Sequence, residues 1–398
     1  MADSILVVNA GSSSIKFQLF DVGAGNQPLR GLRGQLDGIG TQPRLRARDG
    51  QGVELVDRRL PADAAADVVQ GQAMLASWLV EQIGALPVAV GHRVVHGGAF
   101  YAEPVLIDEE VLERLQTLAP LAPLHQPANL GPIRAIRANH PRLPQVACFD
   151  TAFHRGHPEL ADRFAIPDAL YREGVRRYGF HGLSYEYIAS RLAREHPALA
   201  GGKVVVAHLG SGCSMCALDG GRSIESTMGF TALDGLPMGT RPGQLDAGVI
   251  LYLIDGKGMD SRQIQHFLYH ECGLKGLSGI SNDVRELLAS DDARARLALD
   301  YFVYRIAMAA GSLAAALGGI DGLVFTAGVG ENAPVIRKRV AERLAWLGLK
   351  LDDAANDANA ERLSAPDSAI QALALPTDEE LMIARHTLDL IRRPARQA

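Results

Sequence analysis

The amino-acid sequence predicts an α/β protein of two domains, in which the second half repeats the plan of the first. Short apolar strands alternate with helices, two strand–turn–strand segments rich in Gly and Ser recur at residues 5–21 and 204–219, and 398 residues exceed what one ordinary core holds. The predicted domains are residues 1–150 and 151–379. A C-terminal helix at about residues 380–398 is expected to pack back on the first domain.

The first repeated segment is predicted to be a phosphate-binding hairpin. An apolar run ends at Asn9, a small polar turn containing Ser12 follows, and Lys16 stands where the second run begins. A turn of Gly and Ser lets backbone N–H groups approach an anion closely, and Lys16 adds a positive charge at its exit. Such hairpins are also common in β-rich proteins, but the recurrence favours two halves that grip one polyphosphate. The turn of the second hairpin comprises His208, Leu209, Gly210, Ser211 and Gly212.

The remaining elements of the first half follow in order. Strands and Gly-rich turns alternate to about residue 60 and include a basic, exposed segment at residues 44–48. Asp150 follows the last strand of this half, in the strand-end position where open α/β sheets bind ligands. The apolar patterns predict helices at about residues 64–83, 108–118 and 127–138, and strands at residues 88–95 and 146–149.

The second half repeats this order after its own hairpin. Because strands and helices alternate in both halves, the class is α/β, with a strand meander opening each half. A tight turn at residues 219–222 precedes helices from about residues 245, 261 and 292, a strand at 322–326, a helix ending near 347, a strand at 370–375 and the C-terminal helix.

Charge and cysteine content argue against several classes of function. A net charge of −5 gives no electrostatic reason to expect nucleic acid or an anionic membrane as a partner, and no signal peptide is evident. The longest apolar stretch, residues 306–317, is too short to span a bilayer and predicts a buried helix. Four cysteines make no disulfide framework in a chain of this size, which favours the cytoplasm. Cys213 and Cys216 are predicted to be strand hydrophobes rather than a redox or zinc pair.

Four basic side chains are candidates for one anion-binding cluster. Glycines stand beside Arg93, His181 and Arg241, so these side chains can project into a cleft, and His125 stands in a loop of its own. A structural histidine or a surface ion pair is the alternative for any one of them, whereas the four together favour the cluster. A carboxylate among these arginines, such as that of Asp150, would be strongly ionised.

Two oxygen donors and one glycine turn complete the candidate chemistry. Asn9 and Glu379 each lie just beyond a strand, and Mg²⁺ on a nucleotide, or Mn²⁺ in its place, takes one or two protein oxygens. A turn or a helix cap is the alternative for both. Residues 328–333 fit the G-x-G-x-x-G/A form and keep a dinucleotide-binding oxidoreductase open, although their place near the end of the chain argues against it.

Seven longer blocks of residues stand out along the chain: Asn9-Ala-Gly-Ser-Ser-Ser14, Gly91-His-Arg-Val-Val-His-Gly-Gly98, Phe149-Asp-Thr-Ala-Phe-His154, Arg177-Tyr-Gly-Phe-His-Gly182, Met238-Gly-Thr-Arg241, Gly279-Ile-Ser-Asn-Asp283-Val-Arg285 and Phe325-Thr-Ala-Gly-Val-Gly-Glu-Asn332. In these blocks, and along nearly its whole length, the sequence resembles the acetokinase family of short-chain acyl kinases. The resemblance implies the duplicated ribonuclease H-like fold of actin, sugar kinases and heat-shock ATPases, with an interdomain cleft, and a homodimer formed through the C-terminal domain.

The resemblance also implies a role for each candidate residue. Arg93 and Arg241 would bind the substrate carboxylate and the transferring phosphoryl group, His181 would stabilise that group, and Asp150 would be the essential acidic residue. Asn9 and Glu379 would hold Mg²⁺. The acyl pocket would comprise Val95, Leu124, His125 and Ala232. The nucleotide site would comprise Ser12, Lys16, His208, Leu209, Gly210, Ser211, Gly212, Asp283, Val284, Arg285, Gly328, Val329, Gly330, Glu331 and Asn332.

The implied activity is the reversible transfer of the γ-phosphoryl group of ATP to acetate, which gives acetyl phosphate and ADP. Three positions depart from the family's commonest pattern: Ser211 replaces an asparagine, Ala232 replaces a proline, and Pro242 follows Arg241. Ala232 would enlarge the acyl pocket, so a propionate or broader short-chain acyl kinase is an alternative. An actin-like or heat-shock-like ATPase module is the non-enzymatic alternative, and neither nucleic acid nor membrane is expected as a partner.

Overall fold

The computed structural model describes residues 3–11, 14–23, 27–123 and 125–393, and the chain divides into two compact units. The first unit comprises Met1–Phe153 with Asp378–Ala398, and the second comprises His154–Thr377. Each unit is built on one β-sheet with helices packed against it. The predicted α/β class is therefore confirmed.

The first unit contains an eight-stranded sheet in the order β5-β4-β3-β2-β1-β6-β8-β7. The hairpin partner β2 is antiparallel to β1, whereas β6 is parallel to β1 and β8 is parallel to β6. Central parallel strands are covered on both faces, which explains why β1 and β8 are apolar almost throughout. The strands are β1 (Ser4–Ala10), β2 (Ser14–Val22), β3 (Pro28–Asp37), β4 (Arg44–Arg48), β5 (Glu54–Arg59), β6 (Ala89–Val94), β7 (Val105–Leu106) and β8 (Gln145–Phe149).

The helices of the first unit begin at clear sequence signals. Asp67, Asp108 and Asp378 each precede a helix and accept a hydrogen bond from a backbone N–H of its first turn. Leu6, Val8, Phe17, Leu36 and Leu45 of the sheet pack with Leu75 and Trp78 in one core. The helices are α1 (Val68–Ile83), α2 (Glu109–Thr117), α3 (Gln126–Asn139) and, at the C-terminal end, α16 (Glu379–Arg392), with short 3₁₀ turns at Ala62–Ala65, Ala119–Leu121 and Ala152–His154.

The second unit contains a five-stranded sheet in the order β11-β10-β9-β12-β13. Its hairpin β9–β10 is antiparallel, and β12 lies parallel to both β9 and β13. This is the same order and direction as β3-β2-β1-β6-β8 in the first unit, so the predicted duplication is confirmed. The strands are β9 (Lys203–Leu209), β10 (Cys213–Asp219), β11 (Arg222–Ser226), β12 (Gly322–Thr326) and β13 (Gln371–Ala374).

The second unit carries the remaining helices, most of them short. They are α4 (Glu159–Asp162), α5 (Asp168–Arg172), α6 (Gly182–Glu195), α7 (Pro197–Ala200), α8 (Ala247–Asp255), α9 (Ser261–His270), α10 (Gly273–Ser278), α11 (Val284–Leu288), α12 (Ala293–Leu317), α13 (Ala327–Asn332), α14 (Pro334–Arg343) and α15 (Asp353–Asp357), with a 3₁₀ turn at Ala345–Leu347. Helices near the predicted starts at 245, 261 and 292 are present, and α6 is an addition that the sequence analysis did not predict.

Helix α12 is longer than the apolar stretch that predicted it. It spans 25 residues, and by length and composition alone it is the one described helix that could cross a membrane. Core helices of globular proteins have the same length and composition. Phe302, Ile306 and Leu313 are buried along it, and it packs against α10 and α14 and against β10. The prediction of a buried helix is confirmed, but its predicted length was too short because the helix begins before the apolar stretch.

The cysteine pair of β10 occupies two separate environments. Cys213 Sγ donates to the Gly210 carbonyl at 3.2 Å, whereas Cys216 Sγ lies 3.1 Å from Ser223 Oγ. Burial raises the pKa of both thiols to about 12, so both remain protonated at neutral pH. Protonated, buried thiols fit the predicted role of strand hydrophobes.

Candidate active site

The first cluster of candidate residues lies at the carboxyl ends of three parallel strands of the first unit. Asn9 is near the end of β1, Arg93 is near the end of β6, and Asp150 directly follows β8. The register of these strands places their ends together, since Val8 pairs with His92 and Val94 pairs with Phe149. Glu379, the first residue of α16, joins them because that helix packs across β1, β6 and β8.

Arg93 and Asp150 form a two-pronged ion pair within this cluster. Arg93 Nε donates to Asp150 Oδ1 at 2.9 Å, and Arg93 Nη2 donates to Asp150 Oδ2 at 2.6 Å. The Asp150 side chain is only 2% exposed, whereas that of Arg93 is 21% exposed. Arg93 Nη1 also reaches Asn9 Oδ1, at 3.5 Å. Asp150 therefore fixes the plane of the guanidinium group and leaves one edge of it open to a second anion.

Glu379 is the group of this cluster whose pKa is brought close to neutrality. Burial raises the pKa of its carboxyl to about 7; the neighbouring Asp150 and Glu380 add to the rise, and Arg93 and Lys16 oppose it. Arg93 Nε lies 3.8 Å from Glu379 Oε2. Burial opposes the charge of Arg93 in turn, but Asp150 and Glu379 together hold the pKa of its guanidinium above its usual value. Arg93 is therefore charged at every physiological pH, whereas Glu379 changes charge near neutrality.

Asn129 is a residue of this site that the sequence analysis missed. Its side chain accepts the Val95 N–H at 2.9 Å and donates to the Ala10 carbonyl at 2.7 Å, so it ties the loop after β6 to the end of β1. It is 3% exposed on α3. Only the Pro-rich start of that helix is visible in the sequence, and no local pattern identifies Asn129 as a link between two strand ends.

The other predicted residues of the first unit lie around this cluster. Lys16 pairs with Asn9 across the β1–β2 hairpin and is exposed, and Val95 is buried directly after β6. His125 is half-buried at the start of α3. Ser12 and Leu124 lie outside the described residues.

The second cluster lies in the second unit and is centred on His181. This residue precedes α6 with φ 58° and ψ 24°, a left-handed conformation that is uncommon for residues other than glycine. Its Nδ1 lies 2.8 Å from Ser214 Oγ on β10. Its ring stacks on that of His208, with 4.2 Å between centroids and 18° between planes. Such an unusual backbone conformation is typical of functional positions.

Arg241 and His181 converge on the backbone of Gly212. A side chain at Gly212 would place its Cβ 2.8 Å from Arg241 Nη2 and 3.3 Å from His181 Nε2, so any larger residue there would displace the guanidinium group. Arg241 Nη1 donates to the Ala232 carbonyl at 2.8 Å, which orients the guanidinium group. The hairpin turn, an imidazole nitrogen and a guanidinium group thus face one point, where they can surround an anion.

A cavity of about 530 Å³ in the second unit is lined by residues of all three predicted nucleotide segments, which are residues 208–212, 283–285 and 328–332. This volume lies within the range of small-molecule sites. Phe302 and Leu274 provide apolar wall, and Asn282 provides polar atoms. The predicted residues that line it are Gly210, Ser211, Asp283, Val284, Arg285, Gly328, Val329 and Asn332.

Besides Lys16 and Gly212, whose positions are given above, four other predicted nucleotide residues do not line this cavity. Leu209 is fully buried in β9, and His208 Nδ1 lies 2.8 Å from Ser184 Oγ. Glu331 Oε1 accepts the backbone N–H groups of Ala327 at 2.8 Å and of Thr377 at 3.2 Å, and the Gly330 carbonyl accepts Arg337 Nη1 at 3.0 Å. These residues support the loops around the cavity, and their contact with a nucleotide stays a prediction.

Comparison with known proteins gives one consistent family. The model of the Acetokinase family matches residues 4–385. The chain is 61% identical to an acetate kinase of Nitrobacter hamburgensis, over 98% of this chain and 96% of that protein, and 57% identical to one of Rhizobium meliloti, over 98% and 99%. Among solved structures it resembles a propionate kinase from Francisella tularensis (37% identity, TM-score 0.90, 97% of this chain and 99% of that one). It also resembles acetate kinase of Porphyromonas gingivalis (35% identity, TM-score 0.86, 98% and 100%).

Proposed function

Because the chain belongs to the acetokinase family, we infer that it is a kinase that transfers a phosphoryl group between ATP and acetate. The observation that carries this inference is that the chain shares 61% and 57% of its residues, along nearly its full length, with two acetate kinases. The two clusters, one around Arg93 and Asp150 and one around His181 and Arg241, supply the cations and donors that such a transfer needs. A hydroxamate assay for acyl phosphate, run with ATP and acetate, tests it directly.

We propose a direct in-line transfer in which no general base is needed. The pKa of acetate is close to that of a glutamate side chain, about 4.3, so the nucleophile is already ionised at neutral pH. The barrier is one of positioning and of repulsion between anions. Arg93 binds the carboxylate of acetate, while His181 and Arg241 donate to the oxygens of the transferring phosphoryl group. Asp150 orients Arg93 and abstracts no proton.

We propose that Asn9 and Glu379 contribute oxygen ligands to Mg²⁺. The residues fit a hard cation, because the largely buried carboxyl group of Glu379 lies near the carboxylate of Asp150, and the amide oxygen of Asn9 lies in the same cluster, 3.5 Å from Arg93 Nη1. A cation is also what would favour the ionised form of a carboxyl group whose pKa is raised to about 7. When bound with ATP, Mg²⁺ would neutralise charge on the phosphate oxygens.

The altered pKa of Glu379 predicts a pH dependence of metal binding. A carboxyl group with a pKa of about 7 holds a proton below that pH, and a ligand must lose its proton before it binds a metal. We therefore expect the affinity for Mg²⁺-ADP to rise about 10-fold between pH 6 and pH 8 in calorimetric titrations. Glu379→Gln should abolish this slope, and the titration of the nucleotide itself cancels because both proteins share it. An equal slope in the variant would contradict the assignment.

The same proton affects stability in the absence of metal. The folded protein binds it up to about pH 7, whereas the unfolded chain releases it near 4.5. More protons are thus bound in the folded state between these values, so this group lowers the free energy of unfolding as the pH rises from 4.5 to 7. Glu379→Gln should lessen that decline in thermal unfolding experiments without Mg²⁺.

We propose that the acyl pocket also accepts propionate. Ala232 carries only a methyl group, and its carbonyl accepts from Arg241 Nη1 at 2.8 Å, which places this small side chain close to Arg241. Wild-type protein should phosphorylate propionate measurably. Ala232→Val should lower kcat/KM for propionate relative to acetate by about 10-fold, since one methylene in an apolar pocket is worth 10-fold or more. Ala354→Val, at an exposed alanine of α15, is the matched control. A strict preference of the wild type for acetate would contradict the proposal.

We propose a homodimer formed through the second unit. Helix α8 has no buried residue although its sequence is apolar, and Leu251 and Tyr252 are 61% and 57% exposed. Leu297, Tyr304 and Met308 on α12 are also exposed. Exposed apolar faces of this kind are typical of protein–protein contacts.

Leu251→Asp tests the dimer. It should weaken dimerisation by about 30-fold in sedimentation analysis. The reason is that a two-fold symmetric interface contains Leu251 of both subunits, so one substitution removes two buried leucine side chains. Leu160→Asp, at a leucine that is 91% exposed on α4, should leave it unchanged. A wild-type monomer at micromolar concentration would refute the proposal.

We propose a cytoplasmic location, since all four cysteines are free thiols.

Two alternative functions are separated by simple assays. An actin-like or heat-shock-like ATPase module, which would transfer no phosphoryl group to acetate, predicts ATP hydrolysis but no hydroxamate product. The dinucleotide alternative predicts binding of NAD, which a fluorescence titration separates.

A further inference from the structure

Tyr185, Ser214 and the imidazole of His181 form a chain of short contacts in the second unit. Tyr185 Oη lies 2.5 Å from Ser214 Oγ, and Ser214 Oγ lies 2.8 Å from His181 Nδ1. Tyr185 is one turn after His181 on α6, and Ser214 is on β10. Tyr185 and Ser214 are both fully buried, so water does not compete for these contacts. None of the roles assigned above uses Tyr185 or Ser214.

Ser214 has a single hydroxyl proton, so it can donate to only one of its two neighbours. If Tyr185 donates to Ser214, the serine donates to Nδ1 of His181, and the proton of a neutral ring is then on Nε2. If the ring instead donates from Nδ1, the serine donates to Tyr185. Nε2 then carries no proton unless the ring is a cation.

The surroundings of His181 favour the first arrangement. Arg241 Nη2 and His181 Nε2 face the same point beside Gly212, and the ring of His208 stacks on that of His181 at 4.2 Å. The guanidinium charge of Arg241 disfavours an additional positive charge on His181. Within the proposed function, Nε2 faces phosphoryl oxygens. The lone pair of an unprotonated nitrogen would repel these oxygens, whereas a protonated nitrogen would donate a hydrogen bond to them.

We propose that Tyr185 and Ser214 are positioning residues, forming a hydrogen-bond relay that keeps the proton of neutral His181 on Nε2. Tyr185 donates to Ser214, and Ser214 donates to Nδ1. The left-handed backbone of His181 holds the ring from one end and the relay holds it from the other. The imidazole is then aligned before substrate binds, which lowers the reorganisation needed in the transition state.

The first test reads the tautomer directly and requires no activity. The full-length protein is labelled with ¹⁵N-histidine, and His181→Gln assigns the ring signals by their loss. We expect Nδ1 of His181 to appear as a bare, hydrogen-bonded nitrogen and Nε2 as a protonated one. In Tyr185→Phe, Ser214 loses the donor that fixes its direction, and the signals should move towards a mixture of tautomers. A protonated Nδ1 in the wild type, or an unchanged tautomer in this variant, would overturn the proposal.

The second test separates positioning from folding. Tyr185→Phe should lower kcat about 10-fold while the KM values for acetate and ATP stay within about 2-fold. Ser214→Ala should lower kcat by at least the same factor, whereas Ser214→Thr should keep most of the wild-type kcat. The double variant Tyr185→Phe/Ser214→Ala should have a kcat no lower than that of Ser214→Ala alone. Tyr187→Phe, at a buried tyrosine of the same helix, is the control and should keep the wild-type rate. Additive losses in the double variant would contradict a relay.

The inference rests on the proposed function, and the two tests keep their failures apart. A wild-type protein that makes no acyl phosphate would refute the function, while the ring signals would still report whether the relay exists. An active enzyme whose His181 tautomer and kcat do not respond to Tyr185→Phe would refute the relay alone.

Discussion

Arg241→Ala is expected to lower kcat on the order of 10³-fold, the scale of losing a positive group that stabilises a transferring phosphoryl group. The reason is the placement of the side chain: Nη1 is held by the Ala232 carbonyl at 2.8 Å, which leaves Nη2 directed at the Gly212 turn beside His181. Such a charge gains most when extra negative charge develops on the phosphoryl oxygens. The loss should therefore appear in kcat, with a smaller change in the KM for ATP.

Two variants sharpen this experiment. Arg241→Lys keeps the charge but cannot donate to Ala232 and to an anion in the same plane, so it should recover only part of the rate. Arg294→Ala removes an exposed arginine whose ion pair with Asp292 contributes little, and it should behave as wild type. A loss confined to the KM for acetate would mean that Arg241 only binds substrate.

The fold was predictable where local pattern decides structure. The two hairpins, the apolar parallel strands and the aspartate-capped helices all carry their signals within a few residues. Helix α6 was not predicted because it lacks such a signal. It begins after His181, which makes no side-chain cap and adopts φ 58°. A helix start without a side-chain cap leaves no local signal in the sequence.

The candidate site was predictable only in part, for a similar reason. Arg93 and Asp150 follow from their strand-end positions, and the structure pairs them through two hydrogen bonds. Asn129 acts through contacts with residues 34 and 119 positions away, which no local pattern encodes. The pKa of Glu379, raised to about 7, arises from burial and from neighbours on other elements. Spacing in the sequence contains none of this information.

Asp150→Asn provides the second large effect, because an amide cannot replace this carboxylate. The carboxylate accepts from Arg93 Nε at 2.9 Å and from Nη2 at 2.6 Å, whereas an asparagine side chain accepts once and turns an NH₂ group towards the guanidinium. Removing the charge of one partner of a buried ion pair costs about 3–5 kcal/mol, because the other charge is left without a partner. We therefore expect kcat/KM for acetate to fall about 10²-fold or more. Near-full turnover by this variant would show that Asp150 has no essential role.

The pH profile and a mutant cycle distinguish an orienting role from proton abstraction. Acetate is ionised well below neutral pH, so a base has no proton to remove, and Asp150→Asn should lower the rate at every pH without changing the shape of the profile. If Asp150 acts through Arg93, the double variant Asp150→Asn/Arg93→Ala should be no slower than Arg93→Ala alone. Independent, multiplicative losses would assign Asp150 a contact of its own with substrate or metal. The bidentate geometry and the 2% exposure of its side chain argue for the first result, since both carboxylate oxygens already accept from Arg93.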